Sequence, residues 1–217
     1  MKYGESAFDI IYLLFAIAAG ICILSRRRDK IGKLIGFATL ILGCGDAFHL
    51  VPRVLNYFVD ADFTVWLGVG KLVTSITMTV FYVLMYRLWI AAYGKRENKG
   101  LSAVVYALAT IRTVLCLLPQ NNWLENSSSV LWGVIRNIPF IVLGIIIVCL
   151  FFKTRKEIRT LRSVWLLVAL SFLFYIPVAV AAPLLPMLGM LMLPKTVCYM
   201  ILIGVFLKYS SDINANK

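Results

Sequence analysis

Residues 7–24 read AFDIIYLLFAIAAGICIL, and positions 26–28 are three consecutive arginines. A helix over this stretch would be about 27 Å long, close to the thickness of the hydrocarbon core of a bilayer. A secretory signal peptide carries its positive charges before the apolar stretch. Here Glu5 and Asp9 stand at the start of the stretch, and the arginines follow it. The pattern predicts an uncleaved membrane anchor whose N-terminus lies outside.

The composition of the whole chain favours the same environment. Of its 217 residues, 61% are hydrophobic and 15% are charged. Soluble domains have about 45–50% apolar and about 25% charged residues. The excess of apolar side chains predicts an integral, multi-pass membrane protein. We expect one domain over residues 1–217, with membrane lipids as its surroundings.

Six further apolar segments follow the first, and each is long enough to cross a bilayer as a helix. The predicted fold is therefore all-α, a bundle of seven transmembrane helices. The predicted spans are Ala7–Leu24, Lys33–Tyr57, Phe63–Tyr86, Leu101–Leu118, Val130–Phe152, Leu161–Ala182 and Met187–Leu207.

The basic residues predict the direction of the spans. Sixteen of the 22 Lys and Arg residues lie in alternate connections and in the C-terminal tail, and only Lys2 lies in the others. Because basic loops stay in the cytoplasm, the C-terminus is expected there and the N-terminus outside, in a plasma membrane. The net charge of +12 is explained by topology, so no nucleic-acid partner is expected.

Several ionisable residues remain inside the predicted spans. Such groups cost several kcal/mol in a bilayer unless they are paired or hydrated, so they usually face the bundle interior. Their depths in the membrane can be counted along each span at 1.5 Å per residue. By this count, most of these residues lie in the outer half of the membrane. The set is Asp46, His49, Arg53, Lys71, Arg112, Arg136 and Lys195.

The densest part of this set is Gly45–Arg53, which reads GDAFHLVPR. Asp46, His49 and Arg53 have the spacing i, i+3, i+7 and share one helix face. Pro52 cannot donate to the carbonyl of Phe48, so a free carbonyl is expected there. One interpretation is structural, with Asp46 pairing one base and the other bases reaching the headgroups.

The other interpretation is a polar cavity that opens to the outer side. One acid against five bases would suit a small anion or a lipid headgroup. Tyr199 shares a helix face with Lys195 and joins the predicted ligand-binding residues. Catalytic zinc needs three protein ligands, and His49 is the only histidine. Neither a metal nor a cofactor is expected.

The topology and Lys195 in the seventh span resemble the microbial (type 1) rhodopsins. Phe172, Tyr175 and Pro177 in the sixth span are similar to the aromatic, tyrosine and proline set of that family. The resemblance implies a rhodopsin-like bundle, with Lys195 as the residue that would carry retinal. Lys71 occupies the third span, where that family has acidic counterions. We therefore predict that no stable pigment forms.

Gly45-Asp46 through Pro52 resembles the glycine-aspartate motif of lysoplasmalogenase-like membrane hydrolases. That resemblance implies a catalytic role for Asp46. The second intramembrane aspartate of that family has no counterpart in the fourth to seventh spans.

Three functions stay open at this point. The leading one is a non-enzymatic sensor or transporter that binds an anion, a lipid or another ligand in a basic pocket. The second is an intramembrane lipid hydrolase centred on Asp46 and His49. The third is a retinal protein that uses Lys195.

Overall fold

The computed structural model describes residues 2–127, 129–181 and 185–215, and this part of the chain is helical with no β-strand. The all-α prediction is therefore confirmed. The helices are α1 Lys2–Arg26, α2 Lys30–Phe58, α3 Thr64–Ala92, α4 Lys99–Leu117, α5 Val130–Lys153, α6 Val164–Ala181 and α7 Met192–Ala215.

Helices that follow one another in the chain pack side by side, and α7 also packs against α1 and α2. The bundle is thereby closed around α3, which contacts α2, α4 and α5. Short connections make successive helices antiparallel. We call the end at which α1 begins the N-terminal end of the bundle. The α2–α3 and α4–α5 connections lie there as well.

Six of the described helices are long and apolar enough to cross a membrane. The seventh, α6, is apolar but shorter, over Val164–Val180. Large apolar side chains face outward at mid-helix, among them Leu14 at 65% exposure and Leu173 at 62%. Exposed apolar surface on every side is costly in water, whereas a bilayer solvates it.

Each predicted span overlaps one helix, but α1 begins five residues before its predicted span, α3 ends six residues after it and α7 ends eight residues after it. Residues 161–163 form a turn, so α6 begins at Val164, and Ala182 lies outside the described residues. The predicted seventh span begins as a 3₁₀ helix, Pro186–Leu191, and α7 follows from Met192. Helix α7 has Pro194 in its first turn, where the missing N–H of proline is tolerated.

Two glycines allow α2 and α3 to approach closely. A Cβ on Gly70 would lie 2.2 Å from the carbonyl oxygen of Phe48, and a Cβ on Gly45 would lie 2.1 Å from Oγ1 of Thr77. The carbonyl of Phe48 is the one that Pro52 cannot bond. Gly45 is thus required for packing α2 on α3, and this contact fixes how the Asp46 face of α2 is oriented.

Candidate functional site

The principal cavity lies at the N-terminal end of the bundle and has a volume of about 510 Å³. Its walls come from α2 to α7 and from the α4–α5 connection. Five basic side chains and one carboxylate line it, together with apolar and aromatic groups. Cavities of roughly 300–1,000 Å³ hold ligands of drug-like size.

Seven of the eight residues that the sequence predicted as ligand-binding line this cavity. They come from five helices, α2, α3, α4, α5 and α7. The structure brings these side chains together at Asp46, His49, Arg53, Lys71, Arg112, Arg136 and Lys195.

Tyr199 is the exception. It is 3% exposed and lies beneath the cavity, where its hydroxyl is 3.2 Å from the hydroxyl of Tyr82. Its ring faces the ammonium of Lys195, with Nζ 5.5 Å from the ring centroid. One helical turn separates Tyr199 from Lys195, so the two share a face, but only Lys195 reaches the cavity.

The carboxylate of Asp46 has a direct partner on α1. The hydroxyl of Tyr12 donates a 2.7 Å hydrogen bond to Oδ2 of Asp46. Among the described residues Asp46 forms no close ion pair. The base that attracts it through space is Lys195. Lys195 therefore acts on Asp46 at longer range than a direct ion pair, and Arg53, on the same face of α2, has another partner.

Arg53 forms an ion pair with Glu5 on α1. Glu5 also accepts a 3.2 Å hydrogen bond from the hydroxyl of Tyr57. This cluster joins the beginning of α1 to the end of α2 and compensates the charge of Arg53. Asp9, one turn further along α1, is buried at 4% exposure, whereas Glu5 is only partly buried.

The α4–α5 connection is an ordered wall of the cavity. The side-chain amide of Asn121 donates to the carbonyls of Leu115 and Leu118, at 2.8 and 2.9 Å. These are carbonyls at the end of α4, which lack helical partners. Asn122 and Asn126 adopt left-handed φ values of 46° and 52°, which asparagine tolerates better than most residues.

This wall holds two of the predicted cations. Nη1 of Arg136 donates a 2.7 Å hydrogen bond to Oδ1 of Asn121, and its guanidinium lies 4.5 Å from the ring of Trp123. Nζ of Lys71 donates a 2.7 Å hydrogen bond to Oδ1 of Asn126. Both cations thus have amide oxygens of the connection as partners.

Arg112 is in a different position. It is 2% exposed, and its Nε and Nη1 have no hydrogen-bond partner among the described residues. Its guanidinium lies over the ring of Phe140, 3.3 Å from the centroid. A cation–π contact is favourable, but it gives the N–H groups no acceptor. Arg112 is therefore a buried cation without a compensating anion.

Lys195 completes the interior of the cavity. Its ammonium lies 5.0 Å from the ring centroid of Tyr175 and forms no hydrogen bond within the described part of the chain. Tyr175 in turn donates a 2.7 Å hydrogen bond to Oδ1 of Asn137. Lys195 interacts electrostatically with Asp46 and with Arg112.

His49 lies beside this group, with Nδ1 buried and without a partner in the described structure. Across the described ranges, no three His, Cys, Asp or Glu side chains come close enough to share a metal ion. Sequence reasoning missed Tyr12, Glu5 and Asn121 as partners of the predicted residues. The spacing of Glu5, Asp9 and Tyr12, which places them near one helix face, was the signal that could have indicated α1.

Fold and site together define a class: an all-α protein with apolar helices of membrane-spanning length around a basic cavity. Comparisons with protein-family models, with curated proteins and with solved structures found no match. The function is therefore inferred from the cavity itself.

Proposed function

We propose that this protein is a non-enzymatic, multi-pass membrane protein that binds an anionic ligand in the basic cavity, as a sensor or transporter. The observation that carries the proposal is Arg112, a buried guanidinium whose Nε and Nη1 lack an acceptor in the described structure. A buried charge is costly unless it is paired and hydrogen-bonded. An oxyanion bound beside Arg112 in the cavity would supply the compensating charge.

The charges of the remaining cavity residues support the same ligand. Glu5 compensates Arg53, and Asp46 attracts Lys195. Lys71 and Arg136 donate hydrogen bonds to neutral amide oxygens of the α4–α5 connection. Among the described residues, five basic side chains and one carboxylate line the cavity. The cavity is therefore positive overall, and it would attract anions and repel cations.

The charge distribution along the chain supports an orientation for the bundle. The connections at the N-terminal end carry few bases, and those at the other end carry most of them. By the positive-inside rule, the cavity would lie at the extracellular end of a rhodopsin-like bundle in the cell membrane. Its ligand would then enter from outside or from the outer leaflet.

The proposal is tested by thermal unfolding of the purified protein in a neutral detergent. Organic and inorganic anions are added, together with uncharged analogues of the same size. A ligand that binds only the folded state raises the melting temperature, so anions should raise it and their neutral analogues should not. The absence of any anion-dependent shift would refute the proposal.

Arg112→Met and Arg159→Met make a matched pair of variants for this test. Arg159 is an exposed arginine remote from the cavity. Arg159→Met should respond to anions as the parent does, whereas Arg112→Met should not respond. Because Arg112→Met removes an uncompensated buried charge, its ligand-free form should melt at or above the parent temperature. An unchanged anion response in Arg112→Met would contradict the proposal.

A further inference from the structure

The five cations of the cavity fall into two groups that differ in what the protein offers them. Arg53, Lys71 and Arg136, the loop-side cations, each have an oxygen acceptor from the protein. These acceptors are the carboxylate of Glu5 and the amide oxygens of Asn126 and Asn121.

Arg112 and Lys195, the interior cations, have aromatic rings where the loop-side cations have oxygens. Phe140 lies 3.3 Å from the guanidinium of Arg112, and Tyr175 lies 5.0 Å from the ammonium of Lys195. The rings of Phe140 and Tyr175 have centroids 5.7 Å apart, so the two interior cations that lie over them occupy neighbouring parts of the cavity. Like charges at neighbouring positions repel each other, and an oxyanion between them would accept hydrogen bonds from both and relieve this repulsion.

The rest of the cavity surface is mainly apolar. Side chains without polar groups line much of the cavity. They include Leu50, Met78, Val130, Val178 and Met192. The cavity of about 510 Å³ is in the range for a drug-sized ligand rather than a bare inorganic ion.

We infer that the ligand is an amphipathic acid whose single oxyanion, a carboxylate or a phosphate monoester, binds between Arg112 and Lys195. Its apolar body lies along the wall of Leu50, Val130, Val178 and Met192. One acidic group is sufficient because, among the described residues, the interior cations have no carboxylate or amide oxygen as a direct partner, whereas each loop-side cation has one. This inference rests on the proposed function and specifies the ligand class of the same site.

The experiment measures affinities of the purified parent protein for a set of eight-carbon compounds and their short counterparts. The set is octanoate, octyl phosphate, octanol, octyltrimethylammonium, acetate and inorganic phosphate. Octanoate and octyl phosphate should bind at least about tenfold more tightly than acetate and phosphate, because burying two methylenes is already worth that factor. Octanol and octyltrimethylammonium should bind more weakly than the octyl acids.

Variants of the cavity cations test where the acidic group of the ligand binds. Arg112→Met and Lys195→Met should each weaken octanoate binding by about tenfold or more, the value of a charge-assisted hydrogen bond. The loop-side variant Lys71→Met should change it by less than about threefold, because a screened charge outside direct contact contributes little. The opposite pattern, with Lys71→Met disruptive and Arg112→Met neutral, would overturn the inference.

The outcomes separate the two proposals. Acetate and phosphate binding as tightly as the octyl acids would refute the amphipathic ligand and leave the anion site intact. Binding of octanol or octyltrimethylammonium in preference to every anion would refute both. A final comparison of affinities distinguishes a membrane lipid from a soluble acid as the ligand. Tighter binding of lysophosphatidic acid than of octyl phosphate indicates a membrane lipid. The reverse order indicates a soluble acid.

Discussion

The hydroxyl of Tyr12 on α1 donates a 2.7 Å hydrogen bond to Oδ2 of Asp46 on α2. Tyr12 is fully buried, so this bond is shielded from water and links the first two helices beside the basic cavity. It also orients Asp46, the one carboxylate that lines the cavity within the described ranges. Asp46 therefore faces Lys195 from a fixed position.

Replacing Tyr12 by phenylalanine should destabilise the protein. The substitution keeps the ring and removes the donor to a charged group, a bond worth about 1.5–3 kcal/mol. Thermal unfolding of Tyr12→Phe in detergent measures the effect. Tyr3→Phe is the matched control, because Tyr3 is 80% exposed and its ring, which the substitution keeps, packs against the ring of Phe58.

A double-mutant cycle tests whether Asp46 is the partner through which the Tyr12 hydroxyl stabilises the protein. If the effect of Tyr12→Phe comes from Asp46, it should shrink in an Asp46→Asn background. Equal melting of Tyr12→Phe and Tyr3→Phe would show that this hydrogen bond adds nothing to stability.

The helices and the convergence of the ionisable residues could be predicted because both depend on distance along the chain. Apolar runs of fixed length give helices of known rise, so the depths of Asp46, Lys71 and Lys195 follow from counting. The beginning of α7 could not be predicted in this way. The apolar run continues through Pro186–Leu191, where the chain is a 3₁₀ helix.

The direct partners could not be predicted, because they depend on how each helix is rotated about its axis. Nothing in an apolar segment marks Tyr12 as the donor to Asp46 or Glu5 as the partner of Arg53. The loop partners of Lys71 and Arg136 depend on two left-handed asparagines, a conformation that composition does not specify.

The orientation of the bundle can be tested with single cysteines at positions 96 and 124, after the five native cysteines are replaced by alanine. Arg96 and Leu124 are exposed at opposite ends of the bundle. Their neighbours are less suitable, since Asn98 caps α4 and Asn122 is left-handed. An impermeant maleimide should label Leu124→Cys in intact cells and Arg96→Cys only after lysis. Labelling of both in intact cells would exclude the proposed topology.

Incubation with retinal should leave the purified protein colourless. A protonated Schiff base on Lys195 would be a cation near Arg112, and Lys71 lines the same cavity, so Asp46 would have to offset three cations. Absorption spectroscopy of the parent and of Lys195→Ala provides the test. A visible band in the parent that is lost in Lys195→Ala would show that this prediction is wrong.

Gly68 on α3 should be intolerant of a larger side chain. A Cβ there would lie 1.5 Å from the carbonyl oxygen of Trp123, so the α4–α5 connection would have to move. Gly68→Ala should destabilise the protein by about 1–3 kcal/mol, as overpacking does, and speed amide exchange in residues 119–127. The control is Gly204→Ala, because no atom lies within 4 Å of a Cβ there. Unchanged amide exchange of residues 119–127 in Gly68→Ala would contradict a tight contact between α3 and the α4–α5 connection.

At the other end of the bundle, Arg27 and Asp29 connect α1, α2 and α7. Nε of Arg27 donates a 2.6 Å hydrogen bond to Asp29, and its Nη1 donates to the carbonyl of Ser210 at 2.9 Å. Asp29 also caps α2. The hydrogen bond from the Arg27 guanidinium lowers the pKa of Asp29 below its ordinary value.

A carboxylate whose pKa is lower in the folded state stabilises the fold above its unfolded pKa, about 3.9 for aspartate. This contribution is lost as the pH falls through the lower, folded pKa. Asp29→Asn should therefore melt below the parent at pH 7, by an amount equivalent to at most about 1 kcal/mol, because it loses the charge of a partly exposed ion pair with Arg27. The difference in melting temperature should shrink when the pH falls below about 4.

The control is Asp60→Asn, because Asp60 is an exposed aspartate outside the helices. This variant should melt like the parent at every pH. A difference for Asp29→Asn that stays constant from pH 7 to about pH 3 would contradict a role of the Asp29 charge, because asparagine keeps the capping oxygen and lacks the charge.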